Sequence, residues 1–267
     1  MKNRVIFGAL ALLILILVTC FDSNVLNFGV AIVACIAIWE VFSATKLERK
    51  IPLIIIGFAA SLMFTYGGNL TEKSVTLFLF VFLSTLIIIY IFSKFTFAEI
   101  SQILFITIYI SFALACVVFL RKMNPNGEYI VWFALFGAFV TDIFAMFAGN
   151  LFGKTKLLPE VSPKKTVAGA IGGWLGTSLT FVIYAIIIAN ITSLVVNWYS
   201  VVPLSLLCGI FSQLGDLAAS RLKRECDIKD FGTLIPGHGG IMDRCDSILL
   251  VAPLVFIWVL YFPMFIV

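Results

Sequence analysis

The polar residues between positions 216 and 246 are of types that handle phosphates and divalent cations. Asp216, Ser220 and Lys223 are spaced i, i+4 and i+7, so they share one face of a predicted helix. A carboxylate, a hydroxyl and an ammonium on one stripe are suited to holding a metal ion and a phosphate together. Asp243 and Asp246 are spaced i, i+3 at the start of a further predicted helix, which places both carboxylates within reach of a shared ion.

Two other segments have polar residues suited to binding anions. The segment 236–240 contains three glycines, which permit positive φ and let backbone N–H groups approach a phosphate closely. His238, the only histidine, lies between these glycines and suits a structural role as well as a catalytic one. Lys164 and Lys165 precede another predicted helix, where they suit a phosphate, an anionic lipid or simple anchoring at the membrane surface.

The composition indicates that these groups are attached to a membrane protein. Hydrophobic residues make up 62% of the 267 residues and charged residues only 12%, against about 25% charged in a typical soluble domain. A chain this apolar has too little polar surface to enclose a water-soluble globule. The composition also excludes disordered, collagen-like and disulfide-scaffold proteins.

The apolar runs predict an all-α integral membrane protein with about nine transmembrane helices. A bilayer core of about 30 Å needs about 20 helical residues, and the runs are too long for the strands of a membrane barrel. The first run is expected to be retained as a helix rather than cleaved as a signal peptide. The predicted spans are 5–21, 25–42, 51–67, 74–92, 100–120, 130–149, 167–189, 199–218 and 248–267.

The positive charges predict the orientation of these spans. With a cytoplasmic N-terminus and an external C-terminus, 15 of the 18 Lys and Arg residues lie on the cytoplasmic side, as the positive-inside rule requires. The net charge of +4 is then explained by topology and anionic lipid, and it gives no support for nucleic-acid binding.

Acidic residues inside the predicted spans indicate where a site lies. A charge in hydrocarbon costs roughly 2.5–3.5 kcal/mol on insertion scales, so Glu40, Asp142 and Asp216 are expected to face a polar cavity or a partner. In the predicted topology they lie at the cytoplasmic leaflet, at the level of Asp243 and Asp246. Converging carboxylates need cations, and hard oxygen ligands suit Mg²⁺. Glu40, at the end of its span, is interpreted as a polar residue at a helix terminus.

The two halves of the chain differ in a way that predicts their roles. Residues 1–125 are predicted to form an N-terminal transmembrane half with short loops. Residues 126–267 carry two long polar segments, 150–166 and 219–247, and are predicted to carry the catalytic site. Loops of such length are usually functional. The glycines of the seventh predicted span are expected to let that helix pack closely on a neighbour: Gly169, Gly172, Gly173 and Gly176.

The residues from Ser220 to Asp246 closely resemble the signature of the phosphatidate cytidylyltransferase (CDP-diacylglycerol synthase) family. The resemblance rests on a long, specific set of positions, and Asp142 with the run 162–166 is similar to the upstream block of that family. By its motifs the resemblance covers about residues 130–267. The matching signature residues are Ser220, Leu222, Lys223, Arg224, Lys229, Asp230, Gly232, Leu234, Ile235, Pro236, Gly237, His238, Gly239, Gly240, Ile241, Asp243, Arg244 and Asp246.

This resemblance implies an enzyme that makes CDP-diacylglycerol and pyrophosphate from CTP and phosphatidate, with one or two Mg²⁺ ions as cofactor. It implies a bacterial inner membrane location and an active site facing the cytoplasm. Asp216, Asp243 and Asp246 are the expected metal ligands, and Lys223 joins them as a catalytic residue. The expected contacts to the substrates are Asp142, Lys164, Lys165, Ser220, Arg224, Lys229, His238 and Arg244.

Several alternatives stay open at this stage. Ala168, Ala219 and Met146 stand where members of the family usually have Glu, Glu and Tyr, which would suit a low-activity member acting as a membrane scaffold. A related CTP-dependent enzyme on an isoprenoid-type lipid or a polyprenol is another alternative. A transporter is disfavoured because its acids are expected near the midplane between repeated helices. Membrane lipids are expected partners, and a homodimer is one alternative for the oligomeric state.

Overall fold

The computed structural model describes residues 23–66, 96–123, 125–234 and 239–266, together with positions 19, 75, 78–79, 81–83 and 86. These residues are mostly helical, as predicted. The helices are α1 (Ser23–Ala44), α2 (Ile51–Tyr66), α3 (Phe97–Lys122), α4 (Gly127–Phe152), α5 (Val167–Thr192), α6 (Trp198–Glu225), α7 (Met242–Cys245) and α8 (Ile248–Tyr261). The strands are β1 (Lys156–Leu158), β2 (Ser162–Thr166), β3 (Val195–Val196) and β4 (Phe265–Ile266).

Within the described residues, six helical segments are long and apolar enough to cross a membrane. These are α1, α3, α4, α5, α6 and the segment Met242–Tyr261, which joins α7 to α8. The chain is therefore a membrane protein. Each of the six corresponds to a predicted span, because a run of about 20 apolar residues has few other ways to satisfy its backbone.

The other three predicted spans have different outcomes. The run 51–67 forms α2, which is apolar but too short for that set of six. The run 5–21 lies outside the described residues apart from position 19, and only a few positions of the run 74–92 are described. The last predicted span was too long at its end, because α8 stops at Tyr261 and β4 follows at Phe265–Ile266. The count of nine and the orientation stay predictions.

The contacts divide the chain into two compact units. Unit 1 consists of residues 1–118 and 226–245, and unit 2 of residues 119–225 and 246–267. The predicted functional division near residue 125 stays a prediction.

Unit 2 is built around α4, α5, α6 and α8, and its closest packing is between α4 and α5. Gly172 and Gly176 of α5 face α4 so closely that a Cβ on either would overlap Ala148 or Phe144. Thr141 and Thr177 join the two helices by a buried hydrogen bond of 2.5 Å between their hydroxyls. The prediction that the glycines of this helix allow close packing is confirmed.

Two short sheets, absent from the sequence interpretation, tie the ends of the helices of unit 2. β1 and β2 form an antiparallel hairpin between α4 and α5, with Lys156 opposite Thr166. Thr166 ends the hairpin and caps α5, since its side chain accepts a hydrogen bond from the Gly169 backbone N–H at 3.1 Å. β3 and β4 pair antiparallel at the other end of α5, with Val195 opposite Ile266.

Unit 1 contains α1, α2, α7 and most of α3. Gly57 of α2 allows a close approach to Thr107 of α3, where a Cβ would lie 2.9 Å from the threonine hydroxyl. At the start of α3, Thr96 and Glu99 form a reciprocal capping pair, and Glu99 also bonds to Lys50 at 2.8 Å. The glutamate is thus fixed from two sides.

We expect Gly172→Val to destabilise unit 2. The added side chain overlaps Ala148 and forces α4 and α5 apart, which should cost about 1–3 kcal/mol. The loss of stability is measured as a lower thermal unfolding temperature in lipid nanodiscs. Leu179→Val, on the exposed side of α5, is the control. Equal unfolding temperatures for the two variants would contradict the packing described for this helix pair.

Candidate active site

Asp246 is the most enclosed acid of unit 2. It lies between α7 and α8, and its exposed fraction is 7%. Its Oδ1 accepts a hydrogen bond from the backbone N–H of Ser247 at 2.8 Å. Gly215 of α6 lies directly against this turn, where a Cβ would be 2.5 Å from the Asp246 carbonyl oxygen. The glycine therefore lets the neighbouring helix approach the backbone that carries Asp246.

Asp216 follows this glycine and is held from two sides. The Nζ of Lys165, at the end of the hairpin, lies 2.6 Å from its Oδ2. The hydroxyl of Ser220, one turn later in α6, donates to its Oδ1 at 3.3 Å. The i, i+4 spacing of Asp216 and Ser220 thus places the two side chains together as the sequence predicted.

Asp142 completes a group of three acids in unit 2. The hydroxyl of Ser247 donates to its Oδ2 at 3.2 Å, although the two residues are 105 positions apart. Asp216 and Asp142 both repel the charge of Asp246 electrostatically, and the Lys223 ammonium opposes this repulsion. Residues from α4, α6 and the start of α8 are therefore brought to one place.

This arrangement bears on the predicted metal site. Among the described residues, no three His, Cys, Asp or Glu side chains are grouped so that they could hold one metal ion. Mg²⁺ is commonly held by one or two carboxylates, with phosphates and water completing its shell. Asp216 and Asp246 are oxygen donors of that kind in one unit, so the donor set fits such an ion. The metal roles predicted for Asp216, Asp243 and Asp246 stay predictions.

Unit 1 contains Asp243 and the glycine segment, defined as residues 231–243. Asp243 is 8% exposed, and its Oδ2 accepts hydrogen bonds from the backbone N–H groups of Phe231 and Gly240, each at 2.9 Å. One carboxylate oxygen therefore ties the two ends of the intervening loop together. Gly239 in this loop has φ 85°, which favours glycine.

Glu40 corrects the sequence interpretation. It is 6% exposed, and its two carboxylate oxygens accept hydrogen bonds from the backbone N–H groups of Ile241 and Met242 at 3.0 and 2.8 Å. The sequence interpretation treated it only as a polar residue at a helix terminus. Glu40 instead binds the glycine segment, because the two N–H groups at the start of α7 lack partners in their own helix.

The remaining predicted residues have varied surroundings. Lys164, Arg224, Lys229 and Arg244 are exposed, whereas Ser220 and Lys223 are half-buried. His238 lies outside the described residues. Ser247 was missed by the sequence interpretation, although a serine directly before a helix is a recognisable cap position. Its hydroxyl makes no cap hydrogen bond here and donates to Asp142 instead.

The arrangement in unit 2, of acids interleaved with lysines and hydroxyls at the ends of apolar helices, can bind anionic phosphates through cations and N–H or O–H donors. A profile described as the cytidylyltransferase family matches residues 2–262.

Three bacterial relatives are named phosphatidate cytidylyltransferase. The chain is 30% identical to that of Bacillus subtilis (strain 168) over 268 residues, covering 96% of each chain. It is 28% identical to that of Staphylococcus haemolyticus over 261 residues, covering 95% of this chain and 97% of the relative. It is 34% identical to that of Thermotoga maritima over 156 residues, covering 58% and 56%. With a family match over nearly its whole length, the chain belongs to the cytidylyltransferase family.

Proposed function

We propose that the protein transfers the cytidylyl group of CTP to phosphatidate, giving CDP-diacylglycerol and pyrophosphate. The observation that carries the proposal is the gathering of Asp142, Asp216 and Asp246 with Lys165 and Lys223 in unit 2. The substrates are taken from the family and from full-length relatives named phosphatidate cytidylyltransferase. An integral membrane protein suits a reaction in which one substrate is a lipid.

In the proposed reaction, an oxygen of the phosphatidate phosphate attacks the α-phosphorus of CTP. The bond between this phosphorus and the oxygen bridging to the β-phosphate breaks, and pyrophosphate leaves with that electron pair. A phosphate monoester is already an anionic nucleophile at neutral pH, so the chain needs no strong general base. Its task is to position two anions in line and to stabilise their combined charge.

The described residues can perform this task. Lys165 and Lys223 supply positive charge beside the acids, where it would offset the charge of the transferring phosphoryl group. Ser220 and Ser247 fix the orientations of Asp216 and Asp142 through their hydroxyls. Asp216 and Asp246 would hold the magnesium ion. When bound, the ion would supply further neutralisation of the reactants and of the pyrophosphate.

We infer that the site faces the cytoplasm. The polar segments 150–166 and 219–247 carry nine of the 18 Lys and Arg residues, and the positive-inside rule favours the cytoplasmic side for them. CTP would then reach the site from the cytosol and phosphatidate from the inner leaflet. Since the relatives are bacterial, the membrane is proposed to be the bacterial inner membrane.

The product assay tests the reaction. Purified protein in nanodiscs with CTP and Mg²⁺ is expected to form CDP-diacylglycerol and pyrophosphate in a 1:1 ratio from phosphatidate. Turnover with an isoprenoid-type phospholipid precursor instead of phosphatidate would indicate a related cytidylyltransferase. Release of CDP instead of pyrophosphate, with a polyprenol as acceptor, would indicate a polyprenol kinase. No CTP turnover with any acceptor at saturating Mg²⁺ would favour the scaffold alternative suggested by Ala168 and Ala219.

Asp246→Asn is expected to lower turnover about 10²–10³-fold, because it removes the most enclosed charge of the acid group. The assay is magnesium-dependent CDP-diacylglycerol formation at saturating substrates. Asp227→Asn makes the same chemical change on an exposed residue with φ 55°, a conformation that Asn also adopts, and should retain activity. Near-normal rates for Asp246→Asn would remove the proposed reaction centre.

Lys165→Met is expected to lower turnover at least ~10-fold, a loss of oxyanion-type electrostatic stabilisation. It leaves Asp216 without its ion pair and removes positive charge next to the acids. Lys156→Met provides a matched change on the first strand of the same hairpin, where the lysine is exposed. Initial rates at several CTP concentrations compare the two, and equal rates would show that the Lys165–Asp216 pair has no part in the reaction.

A further inference from the structure

We propose that Glu40 is a positioning residue for the reaction, which fixes the start of α7 and the glycine segment to helix α1. Its consequence for catalysis rests on the proposed function, because the glycine segment is part of the region that resembles the cytidylyltransferase signature. Glu40 lies about 200 positions before that segment and is outside every motif found in the sequence.

The hydrogen bonds show that the contact is specific. Each oxygen of the Glu40 carboxylate accepts one backbone N–H, from Ile241 at 3.0 Å and from Met242 at 2.8 Å. Successive N–H groups at a helix start point the same way and have no partners within the helix. A carboxylate binds such a pair with both oxygens at once, and the anionic acceptor makes both bonds stronger than neutral ones.

Two glycines leave space for the Glu40 carboxylate. The Cα atoms of Gly232 and Gly240 lie against the Glu40 carboxylate, where a Cβ on either residue would overlap its oxygens. The only described glycine with positive φ is Gly239, so Gly232 and Gly240 adopt backbone conformations open to other residues. Their lack of a side chain is therefore required by the space that Glu40 fills.

The carboxylate of Asp243 further restrains the glycine segment. Asp243 follows Met242 directly and binds the N–H groups of Phe231 and Gly240, so that Glu40 and Asp243 hold the glycine segment at both ends. Asp246 lies three residues further on. A displacement of Ile241 and Met242 would therefore be transmitted directly to Asp243, the next residue of the signature.

The alternative is that Glu40 only fills space in the packing of α1, and three variants separate the two roles. Glu40→Gln keeps one acceptor oxygen, whereas Glu40→Leu has a similar size and no acceptor. For a positioning residue we expect about 10-fold lower turnover in Glu40→Gln and at least 100-fold lower turnover in Glu40→Leu. Glu99→Gln is the matched control, because that glutamate also lies in unit 1 but binds Lys50 and the Thr96 backbone.

Hydrogen–deuterium exchange gives a readout that does not depend on activity. The amides of Ile241 and Met242 should be protected in the unaltered protein, and their exchange should become at least 10-fold faster in Glu40→Leu and remain unchanged in Glu99→Gln. A Glu40→Leu variant as active as Glu40→Gln, or unchanged exchange at 241–242, would overturn the proposal.

Gly232→Ala provides a second variant that leaves Glu40 in place. Its Cβ should displace the carboxylate from the two N–H groups, which predicts faster exchange at 241–242 and at least 10-fold lower turnover. If Glu40→Leu does not accumulate in the membrane, Gly232→Ala still tests whether Glu40 is a positioning residue. Wild-type exchange and turnover in Gly232→Ala would overturn the proposal. Inactivity of the unaltered protein on phosphatidate, together with the expected exchange pattern, would refute the proposed function and leave Glu40 as the anchor of the segment.

Discussion

A carboxylate placed among apolar membrane helices has to obtain its hydrogen bonds from the same chain, because lipid supplies none. Glu40 and Asp243 obtain them from backbone N–H groups. Asp216 obtains one from Ser220 and is also ion-paired with Lys165, and Asp142 obtains one from Ser247. The need to satisfy these groups determines which helix ends come together in each unit, and the site follows from it.

The donors lie far from the acids along the chain, so the site depends on close helix packing. Ser247 reaches Asp142 across 105 positions only because α4 and α8 belong to the same bundle. Gly215 brings α6 against the backbone of Asp246, and Gly172 and Gly176 bring α5 against α4. Small residues at helix contacts therefore do as much to form the site as the charged residues do.

The sequence predicts features that depend on composition over a local window. The apolar runs of α4, α5 and α6 identify these helices, and the i, i+4 spacing pairs Asp216 with Ser220, because both features arise within one helix. The hairpin of β1 and β2 was missed because its strands are short and lysine-rich, so no alternation of apolar residues marks them. The partners of Glu40 were missed because they lie 201 and 202 positions away, and nothing near it in the sequence indicates them.

The two sets of acids differ in the hydrogen-bond and ion-pair partners described for them. Glu40 and Asp243 accept hydrogen bonds from uncharged N–H groups of the backbone, which tie together the two ends of a loop. Asp216 and Asp246 lie near the ammonium groups of Lys165 and Lys223, and near each other. Such a mixed cluster can rearrange when anions and cations bind, because each ion pair has an alternative partner in the substrate. Substrate chemistry is therefore better suited to the cluster of unit 2, and positioning to the carboxylates that hold the glycine segment.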